Sequence, residues 1–189
     1  MEFQVFRKTP DGKKPPGYKN IPPHMICGVK FDVRRKARFV AGGRLTDDQG
    51  EDAYAGVIAP EAVRLGMFAA AHKNLQVAAA DIGNAYLHAK TGEKLYTILG
   101  EESGSLSGVV IVFDKGLHGL RSSGVRFHKH LSDILKKMDF KPSKAEPDLW
   151  LKDCGTHYEY IARCVDDILI LSKEPQEPSY ISITRSWSP

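Results

Sequence analysis

Cys164-Val165-Asp166-Asp167 sets two carboxylates side by side between two apolar, strand-like runs, Tyr158-Glu159-Tyr160-Ile161 and Ile168-Leu169-Ile170-Leu171. Adjacent like charges repel, and flanking strands of this kind draw a turn towards a core. A bound divalent cation removes that penalty, because it becomes the largest local charge and holds both carboxylates ionised. A third carboxylate, Asp81, ends the short apolar run Val77-Ala78-Ala79-Ala80 far upstream. Two Mg²⁺ ions about 3.5–4 Å apart, stabilising the attacking and leaving oxygens of an in-line displacement, need hard oxygen ligands delivered by separate strands. Taken singly, Asp81 reads as a helix cap after a strand, and Asp166-Asp167 as an exposed turn. Together, and in this order, they point to metal-assisted chemistry at one site.

The surrounding elements have to bring these residues together. Residues 1–23 are rich in Lys, Pro and Gly and read as an extended basic leader with little packing of its own. His24 to Lys30 and Lys36 to Ala41 form two strands around a basic turn at 32–35, with a loop through 42–50. Pro60 and Glu61 open a helix whose apolar face carries Val63, Met67, Phe68, Ala71 and Leu75. Val77 to Ala80 is expected as a short buried strand, with further strands at 95–99 and 109–113. Ser122 or Ser123 caps a helix with the stripe Phe127, Leu131, Ile134, Leu135 and Met138. Strands at 149–152, 157–164 and 168–171 follow, with Phe140 and Trp150 expected in the core. The fold class is α/β (α+β), a largely antiparallel sheet with helices on one face. The divisions are 1–23 leader, 24–75, 76–173 and an irregular tail 174–189.

Composition sets the bounds. Of 189 residues, 42% are hydrophobic and 26% charged, enough for a core. The apolar runs are too short to cross a bilayer, and the amino terminus has no secretory pattern, so the expectation is an intracellular protein without a membrane. Cys27, Cys154 and Cys164 lack the paired spacing of zinc ligands or a disulfide framework, which implies reduced thiols. His118, His128 and His130 make an unconvincing metal site, since residues two apart on a helix face different directions. Net charge is +4, yet residues 7–44 carry +9 and residues 45–189 carry −4. A basic segment beside a carboxylate site suits a polyanionic partner, although it also reads as a solubilising surface.

Six ordered blocks make the reading specific. They are Lys36-Ala37-Arg38-Phe39-Val40-Ala41-Gly42-Gly43; Ala80-Asp81-Ile82-Gly83-Asn84-Ala85-Tyr86-Leu87-His88; Lys94-Leu95-Tyr96; His118-Gly119-Leu120-Arg121; Lys144-Ala145-Glu146-Pro147-Asp148-Leu149-Trp150; and Val165-Asp166-Asp167. From about Lys13 to Gln176 the chain resembles the reverse transcriptase domain of copia-type long-terminal-repeat retrotransposons. The resemblance implies a fingers-plus-palm fragment, with 24–75 fingers-like and 76–173 palm. It implies that Asp81, Asp166 and Asp167 hold two Mg²⁺ ions, with Mn²⁺ able to substitute. It places Tyr86 under the sugar of an incoming deoxynucleoside triphosphate, where a flat ring excludes a 2′-hydroxyl; simple packing is the alternative. Lys36 and Arg38 fall on the basic hairpin, where they meet the triphosphate or, equally, template phosphates. Partners would be an RNA or DNA template-primer and deoxynucleoside triphosphates, in a cytoplasmic virus-like particle or the nucleus. No oligomeric state follows.

Departures from the family pattern shape a further expectation. Cys164 stands where relatives carry Tyr, His118 replaces the Tyr usual before Gly-Leu, and Ser122-Ser123-Gly124 occupies the place of a Gln-containing turn. Arg163 interrupts a strand that should be buried, where an unpaired charge is costly. Only sixteen residues follow Lys173. The expectation is a truncated copy with little activity alone. The alternatives are a non-catalytic nucleic-acid-binding remnant and a non-functional pseudogene product.

Overall fold

The computed structural model describes residues 4–43, 55–177 and 180, so the expected loop at 46–50 and most of the tail lie outside the described residues. The chain forms two compact units, and each is discontinuous in sequence: one holds residues 54–85 and 128–189, the other 2–53 and 86–127. The linear divisions read from the sequence do not follow these boundaries.

The first unit is built on a five-stranded antiparallel sheet: β5 (Gln76–Asp81), β11 (Asp167–Ser172), β10 (Tyr158–Cys164), β9 (Leu149–Asp153) and β8 (Lys141–Pro142), in that spatial order. Side chains alternate across a strand, so β11 sends Ile168, Ile170 and Ser172 to one face and Leu169 and Leu171 to the other. Ile168, Ile170 and Leu171 are buried, which explains an unbroken apolar run where one-sided burial would give alternation. Helix α1 (Pro60–His72) lies over the face of Leu169 and Leu171, and Ile58, Ala62 and Val63 pack there with Leu149 and Ala162. The carboxy-terminal part of α2 (Ser123–Lys137) lies over the other face, where His128 and Ser132 meet Arg163. The two helices thus take opposite faces of this sheet.

Beyond the helices taking two faces where one was expected, two details of this unit differ from the sequence reading. Pro60 does open α1, but Gly66 and Ala70 are its buried residues, whereas Met67 and Phe68 are 44% and 71% exposed. Small side chains let the helix approach the sheet closely, with a Gly66 β-carbon position only 3.8 Å from Leu171. Strand β5 is not buried either. It is the sheet edge, and Val77 is 41% exposed. The α2 stripe follows expectation, with Phe127, Leu131 and Leu135 buried, and Phe140 and Trp150 are core residues.

The second unit holds a four-stranded sheet, β1 (Phe6–Lys8), β7 (Val110–Phe113), β6 (Leu95–Ile98) and β2 (Lys19–Asn20), and a separate hairpin of β3 (Pro23–Val29) and β4 (Arg35–Ala41). All its pairs are antiparallel except β2 with β6. The amino-terminal leader is therefore structured: β1 pairs along β7, and Ile21 is fully buried with Leu95, Leu99, Ile111 and Phe113. Apolar residues interspersed in a Lys- and Pro-rich stretch found partners more than seventy positions away, which local composition does not reveal. Gly43 and Gly119 mark a close approach in this unit. Gly119 has φ +90, and a β-carbon there would sit 2.2 Å from the Ala41 carbonyl oxygen. The backbone N–H of Ala41 donates to the His118 carbonyl at 2.8 Å, which holds the two segments together. Of the two serines expected as the α2 cap, Ser123 donates its hydroxyl to the Leu117 carbonyl at 2.7 Å and Ser122 donates its own to the Glu93 carboxylate.

Candidate active site

Strands β10 and β11 are joined by Val165 and Asp166 alone, because Cys164 and Asp167 are register partners. Val165 occupies the first central position with φ 54. A β-branched residue is strained at positive φ, and such strain persists only where the surroundings hold it. Here both strands and the neighbouring chain do so: the Ile82 N–H donates to the Asp166 carbonyl at 2.7 Å, tying the turn to the end of β5.

The register of β5 on β11 then sets two of the three aspartates opposite one another. Asp167 is the direct partner of Asp81, and the pairing continues through Ile168 with Ala80 to Ser172 with Gln76. Directly opposed residues in an antiparallel pair have α-carbons about 4.5–5.5 Å apart and share a face. Asp81 and Asp167 therefore stand side by side, Cys164 adjoins Asp167 on its other flank, and Asp166 follows in the turn. All three aspartates are solvent-exposed. A cavity of about 470 Å³ opens here, lined by Asp81, Asp167 and Cys164 with Ile58, Val63 and Ala79. Asp81 and Asp167 adjoin across the register, and Asp166 stands one residue away in the turn.

Behind this turn lies a group that sequence reading missed. Arg163 is 1% exposed, yet it is fully partnered. Its Nε donates to Asp148 Oδ1 at 2.9 Å, and Nη1 donates to the His128 carbonyl at 3.0 Å and to Ser132 Oγ at 2.9 Å. Nη2 makes close contacts with Asp148 and with His128 Nε2, and the guanidinium lies over the Trp150 ring at 5.7 Å. Burial lowers the Arg163 pKa, and Asp148 opposes that change. Burial, and next the Arg163 charge, pull His128 below the usual imidazole range, with Asp148 acting in the opposite direction. The expected unpaired charge is thus a satisfied network, and His128 belongs to it. Asp148 and Arg163 are fifteen positions apart, and nothing local in the sequence announces the pairing.

The remaining sequence-identified residues belong to the other unit. Tyr86 lies in a short 3₁₀ turn, Ala85–His88, and packs edge-on against His118 and Phe127 at 5.1 and 6.4 Å between ring centroids. Lys36 and Arg38 are on β4, in register with Gly28 and Ile26. The hairpin tip carries Phe31 and Val33, both exposed, and Arg34 forms an ion pair with Asp32.

Carboxylates opposed on two strands, a strained two-residue turn and a cavity beside them thus lie together on an α/β scaffold. Residues 3–179 match the reverse transcriptase (RNA-dependent DNA polymerase) family. This chain belongs to that family, as the six sequence blocks suggested. Among its curated relatives are a retrovirus-related Pol polyprotein from transposon TNT 1-94 of Nicotiana tabacum, 25% identical over 173 residues, and the transposon Ty1-NL2 Gag-Pol polyprotein of Saccharomyces cerevisiae, 28% identical over 181 residues. Each alignment covers 88% of this chain, but only 13% and 10% of the respective polyproteins.

Proposed function

We propose that this chain is the nucleotidyl-transfer part of a retrotransposon reverse transcriptase, extending a primer 3′-end with deoxynucleoside triphosphates on an RNA or DNA template inside the cell. One observation carries the reading: Asp167 is paired directly with Asp81, and Asp166 is held beside them by the Ile82 N–H. Asp81, Asp166 and Asp167 would hold two Mg²⁺ ions, with Mn²⁺ able to substitute. When bound, the metal supplies charge stabilisation to the attacking and leaving oxygens. The chain's own contribution is positional. The strained turn and the β5·β11 register would hold the backbone that carries the three aspartates, and the cavity beside them would give the reacting groups room. Tyr86 is assigned to the sugar of the incoming nucleotide. Its edge-on contacts with His118 and Phe127 fix the ring's orientation, which a steric filter requires. Lys36 and Arg38 are assigned to phosphate contacts from the basic hairpin.

The test is primer extension on a poly-rA template with the purified chain and Mg²⁺. Metal-dependent extension that disappears in Asp166→Asn supports the reading. Extension that survives Asp166→Asn, or that needs no metal, removes it.

A second reading is favoured by Cys164. It adjoins Asp167 where the family resemblance places Tyr, so the turn lacks a phenol ring against the primer end. On this reading the chain binds nucleic acid through its basic segment and extends little or not at all. Tight template-primer binding without extension, restored in part by Cys164→Tyr, would select it over an active polymerase.

A further inference from the structure

The other end of the β9–β10 hairpin carries a cluster that the polymerase reading does not use. Cys154, His157 and Glu159 each offer one ligand atom, and these atoms all lie within 4.8 Å of one another. Hydrogen bonds close the loop that carries Cys154 and His157. The Cys154 N–H donates to the His157 carbonyl at 2.9 Å, the Thr156 N–H donates to the Cys154 carbonyl at 3.0 Å, and the Gly155 N–H donates to Asp153 Oδ1 at 2.8 Å. Gly155, at φ +79, permits the tight return.

Two independent features point to a ligand. His157 Nε2 is buried from solvent and has no hydrogen-bond partner, although Glu159 Oε1 lies 3.8 Å away. A buried ring nitrogen left this way carries a desolvation penalty that a bound cation would remove. The opposite ring nitrogen, Nδ1, is 3.1 Å from the Thr156 hydroxyl. That outer contact is the arrangement by which a metal-binding histidine is oriented. Glu159 is similarly supported, since the hydroxyls of Ser172 and Tyr180 donate to its two oxygens.

We propose that Cys154, His157 and Glu159 form a three-ligand site for a divalent cation of the zinc class, with a fourth position open to water. A thiolate, an imidazole and a carboxylate suit zinc, and they disfavour magnesium, which takes oxygen ligands. Ligand atoms about 2.0–2.3 Å from such a cation stand roughly 3.3–3.7 Å apart, so the cluster needs side-chain movements of only about 1 Å to close. On binding, the Cys154 thiol proton leaves to solvent and the sulfur–metal bond forms, with no change of oxidation state. The site would clip the hairpin at the end of β10 opposite the Cys164–Asp167 turn, and Ser172 and Tyr180 would be drawn into the same clip. This reading is independent of the polymerase assignment.

The experiment uses the 189-residue chain, stripped with chelator and titrated with zinc or cobalt(II) while Mg²⁺ is present in excess. One equivalent of zinc should bind per chain, and cobalt should give a thiolate-to-metal charge-transfer band. Cys154→Ser should abolish the band, His157→Gln should weaken zinc binding at least tenfold, and Thr156→Val should weaken it about tenfold. Cys27→Ser and Cys164→Ser should leave the band intact. Should Cys154→Ser fail to fold, thiol alkylation of the unmodified chain decides, because zinc should protect Cys154 and neither other cysteine. A missing band, a band that survives Cys154→Ser in a folded protein, or equal alkylation of Cys154 with and without zinc would overturn the proposal.

Discussion

Arg163 shows how far a single residue can mislead when only its neighbours in sequence are visible. Within Tyr160-Ile161-Ala162-Arg163-Cys164 it looks like a charge intruding on a buried strand. In the fold it binds Asp148 and Ser132 and the His128 carbonyl, all supplied from fifteen to thirty-five positions away. Replacing it by Leu should therefore destabilise the protein by about 3–5 kcal/mol, since the buried Asp148 would lose its guanidinium and keep only the His128 ring, 2.9 Å away. Urea denaturation measures this, and the double variant Arg163→Met/Asp148→Leu should recover most of the loss. His128 adds a pH dependence. Its folded pKa is depressed, chiefly by burial and then by Arg163, so the unfolded chain binds the extra proton more readily. Its contribution to stability is thus fully present above the unfolded histidine pKa, about 6.5, and is lost as pH falls below it. His128→Gln should flatten the acid limb of a stability–pH curve between about pH 7 and 5. An unchanged limb would mean that other groups dominate it.

At the scale of elements, much was legible. The hairpin β3–β4, the strands flanking Asp166 and the start of α1 follow from apolar periodicity and from Pro60, and the structure places them within one or two residues of the sequence reading. What the pattern hid were pairings over long separations: β1 on β7, and the edge position of β5. The α1 stripe misled for a different reason. Apolar spacing along one helical face was taken as the signal for burial, whereas close approach to the sheet selects Gly66 and Ala70. The two-residue turn could be read as a turn, but not its strain, because Val gives no hint of φ 54. Gly is the usual residue at the first central position of such a turn. Val165→Gly should stabilise the protein by about 1 kcal/mol, the relief of strain exceeding the added chain entropy. The same change should lower extension by loosening the aspartates. Gly119→Ala should do the reverse, destabilising by about 1–3 kcal/mol through its positive φ and the Ala41 carbonyl. Thermal or urea melts compare the two directly.

For the whole molecule, the three aspartates could be picked out in order but not the register that opposes Asp81 and Asp167, and the discontinuous units were not legible at all. The uneven charge was visible from the start, with +9 over residues 7–44 and a negative remainder. Template-primer binding should accordingly weaken steeply with salt, and Arg34→Ala/Arg35→Ala/Lys36→Ala should lower affinity alike for all sequences and reduce the salt slope. Gel-shift titrations at several salt concentrations test both. The central claim, that Asp81 and Asp167 act as one metal-holding unit, is tested most directly by Mg²⁺-dependent primer extension in Asp81→Asn, Asp167→Asn and the double variant. Residues that act as a unit are strongly non-additive. Each single variant should therefore lose nearly as much extension as the double. Partial losses that multiply in the double variant, or extension that persists in Asp81→Asn, would contradict it.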